Sequence, residues 1–359
     1  MFPPDVSLDT GNRALRPRRR LTWSNMESES SWFHRIPKLE LHLHLEGAIP
    51  HDTLWQLIQK YGGDPTVPDQ GALERKFQYP DFPGFIQTWL WKNTFLREYE
   101  DFALVAEAVA HNLAEQNILY AEVFFSPGDF ARFGLGAQRI AEAVRSGLAK
   151  ERRVEVTLIA DLIRDFPPEN AARTLAELAE VRSMGIVGVG LGGSEQEFPP
   201  EPFERVYEDA RKMGFRTTAH AGEAAGSESI WGALRSLRAE RIGHATRAEE
   251  DVALLDYLAE HRIPLELCPV SNVRTGVVRK LEDHPVRRYF NRGLLVTINT
   301  DDPGMFGNSL AGEYQLLEER LGFSREEVRR LVLNALEASW LAEADRERLR
   351  GVLTRDPGR

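Results

Sequence analysis

Four of the nine histidines in this chain stand at or just past the ends of short apolar runs: His42 and His44 in Leu-Glu-Leu-His-Leu-His-Leu, His220 in Thr-Ala-His-Ala-Gly-Glu, and His244 in Arg-Ile-Gly-His. His42 and His44 are two apart on an extended segment, so both imidazoles leave the same side, within reach of one ion. Asp301 and Asp302 follow the buried-looking run Leu294–Asn299. Two adjacent carboxylates at the end of a core strand cost several kcal/mol unless a cation or ligand compensates them; a solvated turn opening a helix is the alternative. An imidazole and carboxylate set without thiolate suits Zn²⁺, and ligand type alone also admits Fe²⁺, Mn²⁺, Co²⁺ or Ni²⁺. Such an ion lowers the pKa of bound water to about 7 and so supplies hydroxide at neutral pH. An acid must then protonate the site attacked. Glu223, three residues beyond His220 and past the turn that Gly222 permits, is placed for this work.

Several other chemistries are excluded by what the chain lacks. Its one cysteine, Cys268, rules out an internal disulfide framework, a Cys-ligated structural zinc and an iron–sulfur cluster. It also rules out the deaminase type whose zinc is held by a Pro-Cys-x-x-Cys pair. None of the seven lysines ends the expected fourth strand, where a bridging modified lysine would hold a second metal, so the site is mononuclear. The glycine-rich stretch 185–193 forms neither a phosphate-binding nor a dinucleotide-binding fingerprint.

Eight elements must carry these residues. Short β-branched or Leu-rich runs alternate with amphipathic stretches, the pattern of a parallel sheet with crossover helices. The expected strands are Lys38–Leu45, Leu119–Phe125, Val154–Ile163, Ile186–Leu191, Phe215–Ala219, Arg241–Gly243, Pro264–Cys268 and Leu294–Asn299. Between them lie helices expected over Gln138–Arg152, Ala171–Met184, Pro202–Lys212, Ser229–Leu237, Glu249–Glu260 and Pro285–Arg292. Eight strands close a (β/α)₈ TIM barrel, an α/β fold whose functional residues gather at the C-terminal ends of the strands. The first unit is longer than the rest. Its insertion, Ala48 to Glu100, carries Trp55, Phe77, Tyr79, Phe82, Phe85, Trp89, Trp91, Phe95 and Tyr99, and reads as a helical pocket wall or lid, or as extra helices packed on the scaffold.

Residues 1–35, with a basic run from Arg16 to Arg20 and little apolar periodicity, read as a disordered tail. Met26 just upstream of the first patterned segment is an alternative start of translation. The barrel is expected over 36–345 and a C-terminal tail over 346–359. Across 359 residues the chain is 42% hydrophobic with a net charge of -10, a balance that disfavours nucleic acid and anionic membrane as partners and favours a small molecule. No apolar run of spanning length and no secretory signal pattern is present, and the lone cysteine fits a reducing cytoplasm.

Five ordered motifs carry a family resemblance: Pro37-Lys38-Leu39-Glu40-Leu41-His42-Leu43-His44-Leu45-Glu46-Gly47, Thr218-Ala219-His220-Ala221-Gly222-Glu223, Arg241-Ile242-Gly243-His244, Cys268-Pro269-Val270-Ser271-Asn272 and Asn299-Thr300-Asp301-Asp302-Pro303. Together they resemble the adenosine deaminase family of the amidohydrolase superfamily, over roughly residues 36–340. The resemblance implies one Zn²⁺ per subunit on His42, His44, His220 and Asp301. It implies a catalytic set of Glu223, His244 and Asp301, in which His244 orients and helps deprotonate water while Glu223 protonates purine N1. It also implies substrate contacts from His44, Glu46, Gly193 and Asp302, with Asp302 at N7 and the Gly193 backbone at N3. A neutral Glu223 is required, so its pKa should be raised.

Departures from the family pattern bear on substrate. Adenosine deaminases commonly have aspartate at the place of Glu46, where it meets the ribose 5′-hydroxyl. Members that act on free adenine share the glutamate but tend to have serine at Gly193 and aspartate at Gly243; Ala245 replaces a usual glycine. The leading expectation is zinc-dependent deamination of adenosine or 2′-deoxyadenosine to the inosine product. The alternatives are another 6-aminopurine (adenine, aminodeoxyfutalosine or another 5′-modified adenosine, an adenine nucleotide), for whose charged groups Arg164, Arg274 and Arg279 are candidates, or an inactive purine-binding barrel.

Overall fold

A computed structural model describes residues 31–79 and 82–355 of the chain. Eight strands follow one another in a sheet whose spatial order is the sequence order: β1 Lys38–His44, β2 Ile118–Phe125, β3 Glu155–Asp161, β4 Ile186–Gly190, β5 Arg216–Ala221, β6 Arg241–His244, β7 Leu265–Leu267 and β8 Val296–Ile298. Every neighbouring pair is parallel. The expected TIM-like barrel is therefore present, with each expected strand at its place. β7 is shorter than expected at both ends for a local reason: Pro264 has no N–H to donate before it, and Cys268 caps a helix opened by Pro269. Another is longer, so that His220 lies inside β5 rather than beyond it.

β1 and β8 meet through an isolated parallel bridge between Leu43 and Asp301. There the Asp301 N–H donates to the His42 carbonyl and the His44 N–H to the Asp301 carbonyl, both at 2.9 Å. Side chains reinforce the join: Asn299 Oδ1 accepts from the Leu41 N–H, and Glu40 accepts from the Thr300 hydroxyl at 2.8 Å.

The barrel interior is polar along one line. Glu122 of β2, Arg241 of β6 and Glu266 of β7 are fully or almost fully buried, and Arg241 lies 2.6 Å from a carboxylate oxygen of each. A pair between β2 and β6, which are not neighbours, crosses the barrel. Trp340 closes the lower end, its N–H donating to Glu122 at 2.6 Å and its ring 3.7 Å from the guanidinium carbon of Arg241.

Helices cover the outside because each has one apolar stripe. Arg325–Ala338 is typical: Ser324 and Glu327 cap its start reciprocally, and Val328, Leu331, Val332, Ala335 and Leu336 are buried, so its apolar face is used inside the molecule. Of the expected tail 1–35 only the last five residues are described, and Trp32–Arg35 form a helical turn. A final helix, Glu343–Leu353, buries Leu349 and Leu353, so a boundary at residue 345 falls inside a packed element. The insertion after β1 forms helices His51–Lys60, Gln70–Lys76 and Phe82–Asn93. Its Trp55, Phe77, Tyr79, Phe85, Trp89, Trp91, Phe95 and Tyr99 belong to or pack against the main core.

Candidate active site and metal centre

The structure brings His42, His44, His220 and Asp301 together, one donor atom from each lying within 4.8 Å of the others. The His220 Nε2 is 3.1 Å from His42 Nε2 and 3.0 Å from His44 Nε2. Asp301 Oδ1 is 3.5 and 3.4 Å from those same two nitrogens. Four donors around a tetrahedral ion with bonds of about 2.0–2.1 Å are separated by roughly 3.3 Å, so the four atoms fit one such ion. Burial supports it electrically. His44 is held down to about 3 and His220 well below the ordinary imidazole value, leaving lone pairs at neutral pH. His42 goes the other way, up to about 10: burial opposes the shift, but Asp301 and Glu266 outweigh it.

The supports of this cluster are buried as well. His42 Nδ1 donates to Glu266 at 2.8 Å, and the Ser271 hydroxyl donates to Asp301 Oδ2 at 2.6 Å. Arg164 donates to the carbonyls of Leu191, Phe198 and His220, so it fixes the backbone of β5 instead of waiting for an anion. Arg274 donates to the Phe77 carbonyl, and Arg279 is exposed beside Asp283. Phe124 stacks against His44 with ring centroids 4.9 Å apart and walls the cluster.

Backbone conformation at the strand ends is unusual. His244, Ala245 and Asp301 have φ of 63°, 52° and 64°, the left-handed region that costs a non-glycine residue on the order of 1–3 kcal/mol. Gly243 admits the His42 ring, since a Cβ there would lie 2.7 Å from its Cε1.

Glu223 lies beside His244, with 3.6 Å between Oε2 and Nε2, and its side chain is 21% exposed. Burial, and then the charges of Asp301 and Glu195, push its carboxyl up to about 8. Its loop is held by Glu195, whose carboxylate accepts the N–H groups of Gly222, Glu223, Ala224 and Ala225. Asp302, next to the cluster, is raised well above the carboxylate range by burial and by the Asp301 charge. Glu46 accepts the Ser126 N–H at 3.0 Å through Oε1, while its buried Oε2 has no hydrogen-bond partner. Lys92, from the insertion helix Phe82–Asn93, interacts electrostatically with both Glu46 and Asp302. Gly193 has a φ of 105° just after β4.

A family description named "Adenosine deaminase" matches residues 37–355. This chain belongs to the adenosine deaminase family. Like the other deaminases of that family it is a hydrolytic enzyme acting on a 6-aminopurine, and relatives within the family differ in the purine named. The adenine deaminase of Bordetella avium (strain 197N) is 39% identical over 308 residues, 85% of this chain and 97% of the relative. The aminodeoxyfutalosine deaminase of Streptomyces avermitilis is 36% identical over 325 residues, 89% and 90% of the two chains. Among solved structures, adenine deaminase from Arthrobacter aurescens superposes with a TM-score of 0.85 at 31% identity, covering 89% of this chain and 98% of that one. A zinc-bound amidohydrolase from Burkhoderia ambifaria gives 0.82 at 26% identity, covering 92% and 94%.

Sequence reading did not single out Glu266, Ser271, Asn272, Glu195 or Lys92. Glu266, Glu122 and Arg241 carried a signal, being charges within or at the edge of short apolar runs that become core strands. Ser271 and Asn272 lay in a motif without an assigned task.

Proposed function

We propose that this enzyme deaminates adenosine or 2′-deoxyadenosine, releasing ammonia and the inosine product. The observation that carries the reaction is the place of Glu223, 3.6 Å from His244 at the edge of a four-donor cluster, in surroundings that raise its carboxyl and favour the acid form. For a divalent ion in that cluster, one per subunit, we propose zinc on His42, His44, His220 and Asp301; the donor set and the zinc-bound relative support it. When bound, the ion lowers the pKa of water so that a nucleophile exists at neutral pH.

Each remaining task falls to a side chain. A water oxygen bonds to purine C6 while Glu223 passes its proton to N1, and His244 and Asp301 hold that oxygen in line. The C6–N bond then breaks, the hydroxyl hydrogen leaves with the amine as ammonia, and the other water proton restores the Glu223 acid. Asp302 shares a hydrogen bond with N7; Gly193 offers backbone to N3; and His44 borders the purine beside its ligand role.

Glu46, a residue shared with members that act on free adenine, is nonetheless placed to meet a sugar. Its unpartnered buried oxygen suits a donor such as a ribose hydroxyl, since an unpaired buried acceptor is costly. Gly243 adds support, because adenine-specific members frequently have aspartate there, whereas here a Cβ would come within 2.7 Å of the His42 ring. A second reading, adenine, aminodeoxyfutalosine or another 5′-modified or 5′-phosphorylated adenosine, rests on the named relatives. A reducing cytoplasm, where the buried Cys268 stays a thiol, completes the proposal.

The test is ammonia release by zinc-loaded protein from adenosine, deoxyadenosine, adenine, AMP and 5′-substituted adenosines, ranked by kcat/KM. Adenosine and deoxyadenosine leading supports the proposal. Another purine leading overturns the nucleoside choice, and no release from any of them overturns the assignment of Glu223.

A further inference from the structure

Behind His244, away from the cluster, three side chains and one backbone amide form a line whose direction is fixed at one end. The Val286 N–H is 3.2 Å from Nδ1 of His284. A backbone N–H only donates, so that nitrogen is bare and the ring hydrogen of His284 is on Nε2. His284 Nε2 lies 3.2 Å from Oδ1 of Asn272 and donates to it. With its oxygen so engaged, Asn272 points its amide nitrogen at His244, and Nδ2 is 3.1 Å from Nδ1. An amide nitrogen also only donates. His244 Nδ1 is therefore an acceptor, which excludes the doubly protonated ring and leaves its one hydrogen on Nε2, the atom that faces Glu223.

The line is built into the fold. His244 ends β6, Asn272 belongs to the helix Pro269–Arg274, and His284 precedes the helix Val286–Arg292, so three segments converge on one ring. His244 and His284 are each 1% exposed and Asn272 is fully buried, and no bulk water competes for these bonds. A buried Asn and a buried His facing each other in one polarity only is a costly arrangement to keep as packing alone.

We infer that Asn272 and His284 are positioning residues that hold His244 as its Nε2–H tautomer, so that His244 enters the reaction as a hydrogen-bond donor to the oxygen adding at C6 and not as the base that first takes a proton from water. The inference deepens the deamination reading and rests on it for the identity of that oxygen. The assignment of the tautomer does not, because it follows from the hydrogen bonds of the protein.

Two measurements separate the parts. Neutron diffraction from deuterium-exchanged crystals of the zinc-loaded enzyme, or long-range ¹H–¹⁵N correlation with labelled histidine, reads the tautomer without substrate. Hydrogen on Nε2 of His244 and a bare Nδ1 are expected; hydrogen on Nδ1 overturns the inference, whatever the substrate proves to be. Asn272→Asp replaces the donor facing Nδ1 by an acceptor, moving the hydrogen to Nδ1 and baring Nε2. With the best substrate of the purine panel its kcat is expected to fall about 10²–10⁴-fold, the scale of a mis-set imidazole tautomer, with KM changed less than about fivefold and zinc retained. Turnover kept or raised in that variant identifies His244 as a base and overturns the donor role. His284→Gln, which keeps an N–H for Asn272 Oδ1, is expected to recover turnover that His284→Leu loses; equal losses in both overturn the relay.

Discussion

His42 donates its Nδ1 hydrogen to Glu266 across 2.8 Å while its Nε2 faces the other donors of the cluster. That pairing sets the tautomer, turns the ring, and makes the outward nitrogen a better ligand. Glu266 is in turn held by Arg241, so the charge line through the barrel ends at the four-donor cluster.

Removing the negative charge of Glu266 should therefore weaken ion binding before it alters chemistry. Glu266→Gln is expected to lower zinc affinity about 10–100-fold, read by competition with a chromophoric chelator. Unchanged affinity would show that the pairing only packs.

In the proposed mechanism Glu223 is the acid, so its active form is the protonated one. Its carboxyl is raised to about 8, which keeps that form abundant at lower pH and depletes it above. We expect kcat/KM to fall as pH rises through about 8. In Glu223→Gln kcat should drop about 10²–10⁴-fold, with zinc content unchanged and no such limb in what remains.

Glu195 holds the loop of that acid through four backbone N–H groups. Glu195→Gln turns one acceptor oxygen into an amide donor against donors. Turnover is expected to fall about 100-fold from misplacement of the Glu223 carboxyl, and hydrogen exchange at residues 222–225 to quicken. Loss of turnover with exchange unaltered would refute the loop explanation.

The oxygen of Glu46 left without a partner predicts a selective effect. Glu46→Gln should reduce kcat/KM for adenosine about 10–100-fold, the scale of a charged hydrogen bond, and leave adenine nearly untouched. An equal loss on both compounds would remove Glu46 from sugar recognition.

Chelation of the ion should abolish ammonia release and lower thermal stability together, since the folded form alone assembles the donors. Restoring free zinc to about 100 times its Kd should return about 2.7 kcal/mol of stability, measured by calorimetry with and without metal. No change in the unfolding temperature would mean that the cluster holds no ion.

The barrel was legible in the sequence because each strand is a run of β-branched or Leu-rich residues between helical stripes, a local pattern. His42, His44, His220, His244 and Asp301 were legible for a related reason: each ends or nearly ends such a run. What the sequence hid depends on contacts between distant segments. Glu266 meets His42 across the barrel, Asn272 and His284 meet only after a turn and a helix have folded, and Lys92 arrives from the insertion. His284 lies in a loop with no pattern to mark it, and Arg164, a candidate for a charged substrate group, holds backbone carbonyls. Charges buried by tertiary folding have no periodicity of their own to announce them.

The clasp between Leu43 and Asp301 has a consequence for how the enzyme matures. His42 and His44 are made early, His220 later, and Asp301 only near the end, yet the backbone bonds that set the first two against the last form when the barrel shuts. A chain still being synthesised owns at most three of the four donors and no seam to align them. An ion bound by these four donors would therefore be captured late, and would act as a rivet through the join between the first strand and the last.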